Sequence, residues 1–152
     1  MERVLTPRRV LLVDTCDEEL REVQRACQLV AEVEFTAEFT TARHSLLHRP
    51  PDLLATNLRL GAYNGLHLIY LARTAAPNSR SVVYTGNIDL PLVEEAQAIG
   101  AFFEPQHRMA WALPSYVRTA LPARDRRSPL AIDRRKVFRG GRRSADLTVA
   151  PA

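Results

Sequence analysis

The stretch that decides the fold is PDLLATNLRLGAYNGLHLIYLAR, residues 51–73. Asp52 to Asn57 is a short apolar run ending on a polar residue, as expected of a strand buried on both faces. Gly61 and Asn64-Gly65 mark a loop. Leu66, Ile69 and Ala72 then recur at spacings of three, which gives the inner face of a helix, and Pro77-Asn78 stops it. The segment reads as strand, loop, helix.

The same unit repeats on either side. Val10 to Val13 is a second buried strand ending at Asp14, and Leu20, Val23, Cys27 and Val30 line a helix that Asp17 can cap. Glu32-Val33-Glu34-Phe35-Thr36 alternates polar and apolar, so it predicts an edge strand with one wet face. A helix from about Thr40 to His48 stops at Pro50-Pro51. Ser81 to Thr85 is a further apolar strand, turned by Gly86-Asn87. Asp89 is placed to cap a helix built on Val93, Ala96 and Ile99, with Gly100 at its stop. Ala101-Phe102-Phe103 predicts a short last strand. Leu113, Tyr116, Val117, Ala120 and Leu121 predict a final helix, with Pro114 in its first turn. Five strands alternating with five helices predict an α/β fold, a parallel sheet wrapped on both faces. In such sheets the site lies at the carboxyl ends of the strands, which nominates Asp14, Asn57 and Thr85.

Charge divides the chain unevenly. Residues 122–152 hold nine Arg/Lys and three Asp, a balance of +6, and residues 1–121 hold the other twelve basic and fourteen acidic residues, a balance of −2. The expectation is a domain over 1–121 and a basic, flexible tail over 122–152. Lys136 is the only lysine in the chain. No apolar run approaches the ~20 residues needed to cross a bilayer, and MERVLTPRR lacks a signal-peptide core, so a cytoplasmic protein without membrane contact is expected. Cys16 and Cys27 form neither a CxxC pair nor a disulfide framework.

Residues 51–73 resemble the third strand and following helix of response-regulator receiver domains, commonly close to PDLVLLDLRLPGMDGLELLRRLR. VLLVDTCDEEL resembles their first strand and acidic loop, VVYTG their fourth strand with its switch Thr/Ser, and AIGA the entry to their fifth. The resemblance spans roughly residues 7–121 in order. It implies a flavodoxin-like, doubly wound five-stranded parallel sheet of order 2-1-3-4-5 with five helices, in a protein of two-component (phosphorelay) signal transduction.

In that family a strand-three aspartate takes a phosphoryl group from a histidine kinase. Two acidic residues after strand one help hold Mg²⁺, and a strand-four Thr/Ser and a strand-five Lys sense the phosphate. Here Asn57 holds the acceptor position, and a neutral amide is no nucleophile for acyl-phosphate formation. Asp14 matches the first acid, Thr15 replaces the second, and Thr85 matches the switch. The lysine position falls on His107, counting seven from Gly100, or on Glu104 if Glu104-Pro105 replaces Lys-Pro; both stay open. Gly61-Ala62 stands where Pro-Gly is usual. The expectation is a pseudo-receiver: not an enzyme, without catalytic or metal-ligating residues or a cofactor, Mg²⁺ binding weak or absent.

Other residues carry plainer readings. His44, His48, His67 and His107 are scattered and read as surface or core histidines. Acidic neighbours argue against a reactive Cys16. Asn64-Gly65 reads as a turn only, and Trp111 and Tyr116 as packing residues. Partners are expected to be other signalling proteins, a histidine kinase or a regulator, docking on the face over 89–121, with a homodimer as one form. Arginines of the 124–143 stretch favour weak contact with a polyanion, including nucleic acid. Residual phosphorylation at Asp14 or a neighbouring carboxylate is the rival to a silent site. A flavodoxin-type ligand binder is disfavoured because the loop from Asp14 to Glu19 is acidic where a phosphate needs backbone donors.

Overall fold

The computed structural model describes residues 8–15, 18–122 and 124–128. Cys16, the proposed cap Asp17 and the arginine-rich run 133–143 lie outside them. The sheet contains β1 (Arg9–Val13), β2 (Glu32–Thr36), β3 (Leu53–Asn57), β4 (Arg80–Thr85) and β5 (Phe102–Pro105), all parallel, in the order β2-β1-β3-β4-β5. Five helices connect and flank them: α1 (Glu18–Gln28), α2 (Phe39–His48), α3 (Leu66–Ala75), α4 (Leu90–Ala98) and α5 (Met109–Arg118). The expected architecture and strand order are those observed.

Strand side chains alternate between two cores, as the two-residue period of a pleated strand requires. Leu11, Val13, Leu54, Val83 and Phe103 pack against α2, α3 and α4 through Leu46, Ile69, Ala72, Val93 and Ala96. Val10, Leu12, Ala55, Val82 and Phe102 pack on the other face against α1 and α5 through Leu20, Val23, Cys27, Met109 and Leu113. Each fully buried aliphatic side chain contributes about 1.5–3 kcal/mol, which explains why the strands without a wet face are built mostly of apolar residues. Burial pushes the Cys27 thiol up to about 11, so it behaves as a small apolar filler.

Gly100 ends α4 with φ 99°, its N–H bonded to the Gln97 carbonyl while Ala101 N–H reaches back to Ala96. This is a Schellman stop, and the positive φ is what favours glycine there. Two expectations about helix ends need correction. Asp89 occupies the N-cap position of α4 but makes no capping hydrogen bond with its side chain. The last helix begins at Met109, four residues before Leu113, and Ala120 and Leu121 follow its end. Pro114 therefore lies inside α5 rather than in its first turn, where it cannot donate to the Ala110 carbonyl.

Candidate functional site at the carboxyl end of the sheet

Asp14, Asn57 and Thr85 converge where β1, β3 and β4 end, as strand parity in a parallel sheet dictates. The Asp14 carboxylate is buried and surrounded by donors. Its Oδ1 accepts from Thr15 N–H (2.7 Å), the Thr15 hydroxyl (3.3 Å) and the Asn57 amide (3.3 Å). Its Oδ2 accepts from the Asn57 amide (3.2 Å) and from the Tyr84 hydroxyl (2.9 Å). Asn57 Oδ1 is taken by Arg59 N–H at 2.9 Å. Thr85, at 3% exposure, bonds locally: its hydroxyl donates to the Asn87 carbonyl and accepts from Asn87 N–H.

Sequence reasoning missed two members of this network. Tyr84 reads as one more apolar residue of a strand, and its hydroxyl acquires a partner only when β4 is placed beside the Asp14 end of the sheet. Gln106 is the second. Its Oε1 accepts from the Asn57 amide at 3.5 Å, and its Nε2 donates to Glu19 at 3.1 Å. Beside it, Glu19, Thr85, Gly86 and His107 line a hollow of about 140 Å³.

That placement adds Gln106 to the two candidates for the lysine position, Glu104 and His107, and leaves both open. Counting seven from Gly100 assumes a full-length fifth strand, whereas β5 is short and starts at Phe102. The side chain it delivers to Asn57 is Gln106; His107 is exposed on the turn Gln106–Arg108. Glu104 pairs opposite Tyr84 in the sheet, and its buried carboxylate Oε1 accepts from Tyr116 (2.7 Å) and Arg127 (2.9 Å). Its Oε2 lies 3.9 Å from Arg108.

The Asn64-Gly65 pair is more than a turn. Gly65 N–H donates to the Leu58 carbonyl, and a Cβ at Gly65 would stand 2.3 Å from the Asn57 carbonyl oxygen. Only glycine lets the loop close on the end of β3. Trp111, read as a packing residue, is 65% exposed with the Arg108 guanidinium 5.1 Å over its ring.

The stretch assigned to a tail from residue 122 also begins differently. Asp125 is 8% exposed. Its Oδ2 accepts from Phe103 N–H on the free edge of β5 and from Gln97, while Arg127 donates to the Phe103 carbonyl at 2.8 Å. Two side chains thus satisfy the backbone of an edge residue as a neighbouring strand would. Burial opposes ionisation of Asp125, but the hydrogen bonds and charge of Arg127, with Gln97, outweigh it and hold the carboxyl below its ordinary value. Burial, then the Glu104 charge, push the Tyr116 phenol up. The domain's contacts extend to residue 127.

The resemblance to receiver domains places Asn57 at the acceptor position and Thr15 at the second acidic position. An amide stands at the nucleophile's position. Mg²⁺ requires several oxygen ligands, yet both Asp14 oxygens and Asn57 Oδ1 already face protein donors. Among the described residues no group of three or more His, Cys, Asp or Glu is placed to hold a metal. Among the described residues, the donor set at this site does not fit Mg²⁺.

No family model and no curated protein matches this sequence. Solved structures do. The CheY-like response regulator receiver domain protein from Methanospirillum hungatei JF-1 is 17% identical, with TM-score 0.65 over 74% of this chain and 95% of the other. The signal receiver domain of an HD domain-containing protein from Pseudomonas fluorescens Pf-5 is 22% identical, with TM-score 0.64 over 74% and 96%. A response regulator from Thermotoga maritima is 20% identical, with TM-score 0.64 over 74% and 96%. The fold is that of a receiver domain. At these identities the likeness fixes the receiver fold, and what the site does must be argued from its own residues.

Proposed function

We propose that this receiver-fold protein serves two-component signalling as a pseudo-receiver, through protein contacts and without phosphoryl transfer. One observation carries the reading: the Asn57 amide, at the acceptor position, donates to both oxygens of Asp14. A carboxylate at 57 would repel Asp14 unless a cation lay between them; the amide removes both the nucleophile and the need for the cation. The site is then a permanently satisfied polar network. In this reading the protein is not an enzyme, uses no cofactor, and binds Mg²⁺ weakly or not at all.

The partners are signalling proteins, kinases or regulators, and a second copy of the chain is one of the forms considered. They dock on the face over 89–121, where Trp111 stands exposed. No helix of the described residues is long and apolar enough to cross a membrane, and the proposed location is the cytoplasm. Contact of the 124–143 stretch with polyanions stays secondary, because Arg127 is engaged with Glu104, Asp125 and Phe103.

The test is incubation of the full chain with acetyl phosphate, or with a histidine kinase and ATP, in Mg²⁺, followed by intact mass and hydroxylamine treatment. The expected spectrum is unchanged. A hydroxylamine-labile phosphate on Asp14 or another carboxylate would overturn the proposal and restore residual phosphorylation as the reading.

A further inference from the structure

At the other end of the sheet, roughly 17 Å along β4 from Thr85, lies a cleft of about 310 Å³. Arg73 from α3, Arg80 from the start of β4 and Arg124 from the segment after α5 all line it. Among the described residues no carboxylate does. Among the described residues none of the three arginines makes an ion pair, and the acids on adjoining segments are engaged elsewhere. Asp125 is held by Arg127 and Gln97, Asp52 accepts from Arg9 N–H, and Glu95 accepts from Tyr70.

The C-terminal ends of α3 and α4 also reach this cleft, each offsetting about half a positive charge. Arg73, in the last turn of α3, has that role as its plain structural explanation. Three guanidinium charges against about one unit of helix-end field leave an excess of about two. Like charges gathered in a concave site call for a counter-anion.

The polar groups point the same way. Ser79 and Ser81 line the cleft; the Ser79 hydroxyl donates to the Pro51 carbonyl. Ser81 is 8% exposed and lines the cleft, where its side chain makes no hydrogen bond to the described residues. Arg80 is positioned by a 3.4 Å bond from Nε to the Leu121 carbonyl, which leaves its terminal nitrogens for a ligand. Ile69 and Ile99 supply an apolar wall.

The geometry points to a binding site for a small phosphate monoester, the phosphate on the three arginines and Ser81 and the organic body against Ile69 and Ile99. A phosphate monoester carries about −1.5 to −2 charges near neutral pH, which matches the excess. The volume is at the small end of ligand sites, about 300–1,000 Å³, and suits one sugar or nucleoside. Guanidinium forks favour phosphate over simple monovalent anions. The site is independent of Asn57 and makes the fold a carrier of a second, metabolite-borne input.

Calorimetric titration of the full chain with inorganic phosphate, a sugar phosphate and a nucleoside monophosphate tests this. Saturable binding of at least one ester is expected, tighter than inorganic phosphate and weakened by salt. Arg73→Gln and Arg124→Gln should each weaken it about tenfold, and Ser81→Ala about fivefold. Arg124 is exposed and makes no hydrogen bond among the described residues, so its variant remains informative if Arg80→Gln fails to fold. Absence of binding by all three probes at millimolar concentration would overturn the site. So would binding unchanged in the Arg73→Gln/Arg124→Gln double variant.

Discussion

The Asn57 side chain lies 3.2 and 3.3 Å from the two oxygens of Asp14, as a donor to both. Changing Asn57 to Asp turns that donor into a second acceptor of the same charge. The variant should lose about 1–3 kcal/mol, the cost of an unmade bond to a buried group with repulsion added. Mg²⁺ should recover part of the loss, because a second carboxylate restores a hard-oxygen pair. Acetyl phosphate should still leave no stable adduct, since Thr15 stands where a second acid would be needed and residues 1–121 contain no lysine. Urea midpoints with and without Mg²⁺, and intact mass, check both halves. Accumulation of phosphate would show that Asn57 alone silences the site.

Gly65→Ala should be disproportionately costly for one methyl group. The new Cβ would stand 2.3 Å from a backbone oxygen of Asn57, which cannot rotate away as a side chain does. An overpacking cost of about 1–3 kcal/mol is expected, together with loss of the Asn57 to Asp14 bonds as β3 retreats. Denaturation midpoints and the Asn57 side-chain amide resonances read the two effects. Gly61→Ala is the comparison, because Gly61 has open space around it and its cost comes from φ 63° alone.

Those contrasts show what a linear sequence discloses. The strands were legible because Val10–Val13, Leu53–Ala55 and Val82–Val83 are buried on both faces and admit only apolar side chains. The strand-end residues Asp14 and Asn57 followed from topology. Tyr84 and Gln106 did not. A tyrosine in an apolar strand carries no sign of its hydroxyl's partner seventy residues away, and a shortened β5 defeats counting from Gly100. Asp125 and Arg127 were hidden for another reason. In a run rich in arginine, with no periodicity, two docked charges look the same as solvated ones.

The Arg127 contacts make a strong prediction about where the domain ends. Arg127→Ala removes donors from Glu104, Tyr116, Asp125 and the Phe103 carbonyl together. Because its side chain is 33% exposed, the loss should be about 2–3 kcal/mol, below that of a fully buried ion pair. A chain cut after Leu121 should show a similar loss, and one cut after Ser128 should not. Thermal denaturation of the three proteins decides it, and equal stability of the two truncations would return the boundary to 121.

Acid should weaken the same clasp. The folded-state value of Asp125 lies below the ordinary carboxyl value of about 3.9, so its stabilising contribution is complete above that value. It is lost as pH falls through the depressed folded value. Wild type and Asp125→Asn should therefore differ in stability at pH 6 and converge below about pH 4. Urea titrations across that range measure the gap. A difference that persists undiminished at the acid end would mean that Asp125 acts by shape and not by charge.

Trp111 offers a direct view of the face over 89–121, since it is the only tryptophan in the chain and stands 65% exposed on α5. Truncating an exposed side chain should cost under about 0.5 kcal/mol of stability, even with its Arg108 contact. A large aromatic at an interface, by contrast, commonly contributes about 2 kcal/mol or more to binding. Trp111→Ala should therefore fold normally yet weaken partner binding or self-association more than tenfold. In the wild type, emission should begin as that of a wet indole and move to shorter wavelength as the face is covered. Dilution series and acrylamide quenching report self-association without any added partner. If a bound kinase or regulator leaves both emission and quenching unchanged, docking occurs elsewhere and the exposed tryptophan is incidental to it.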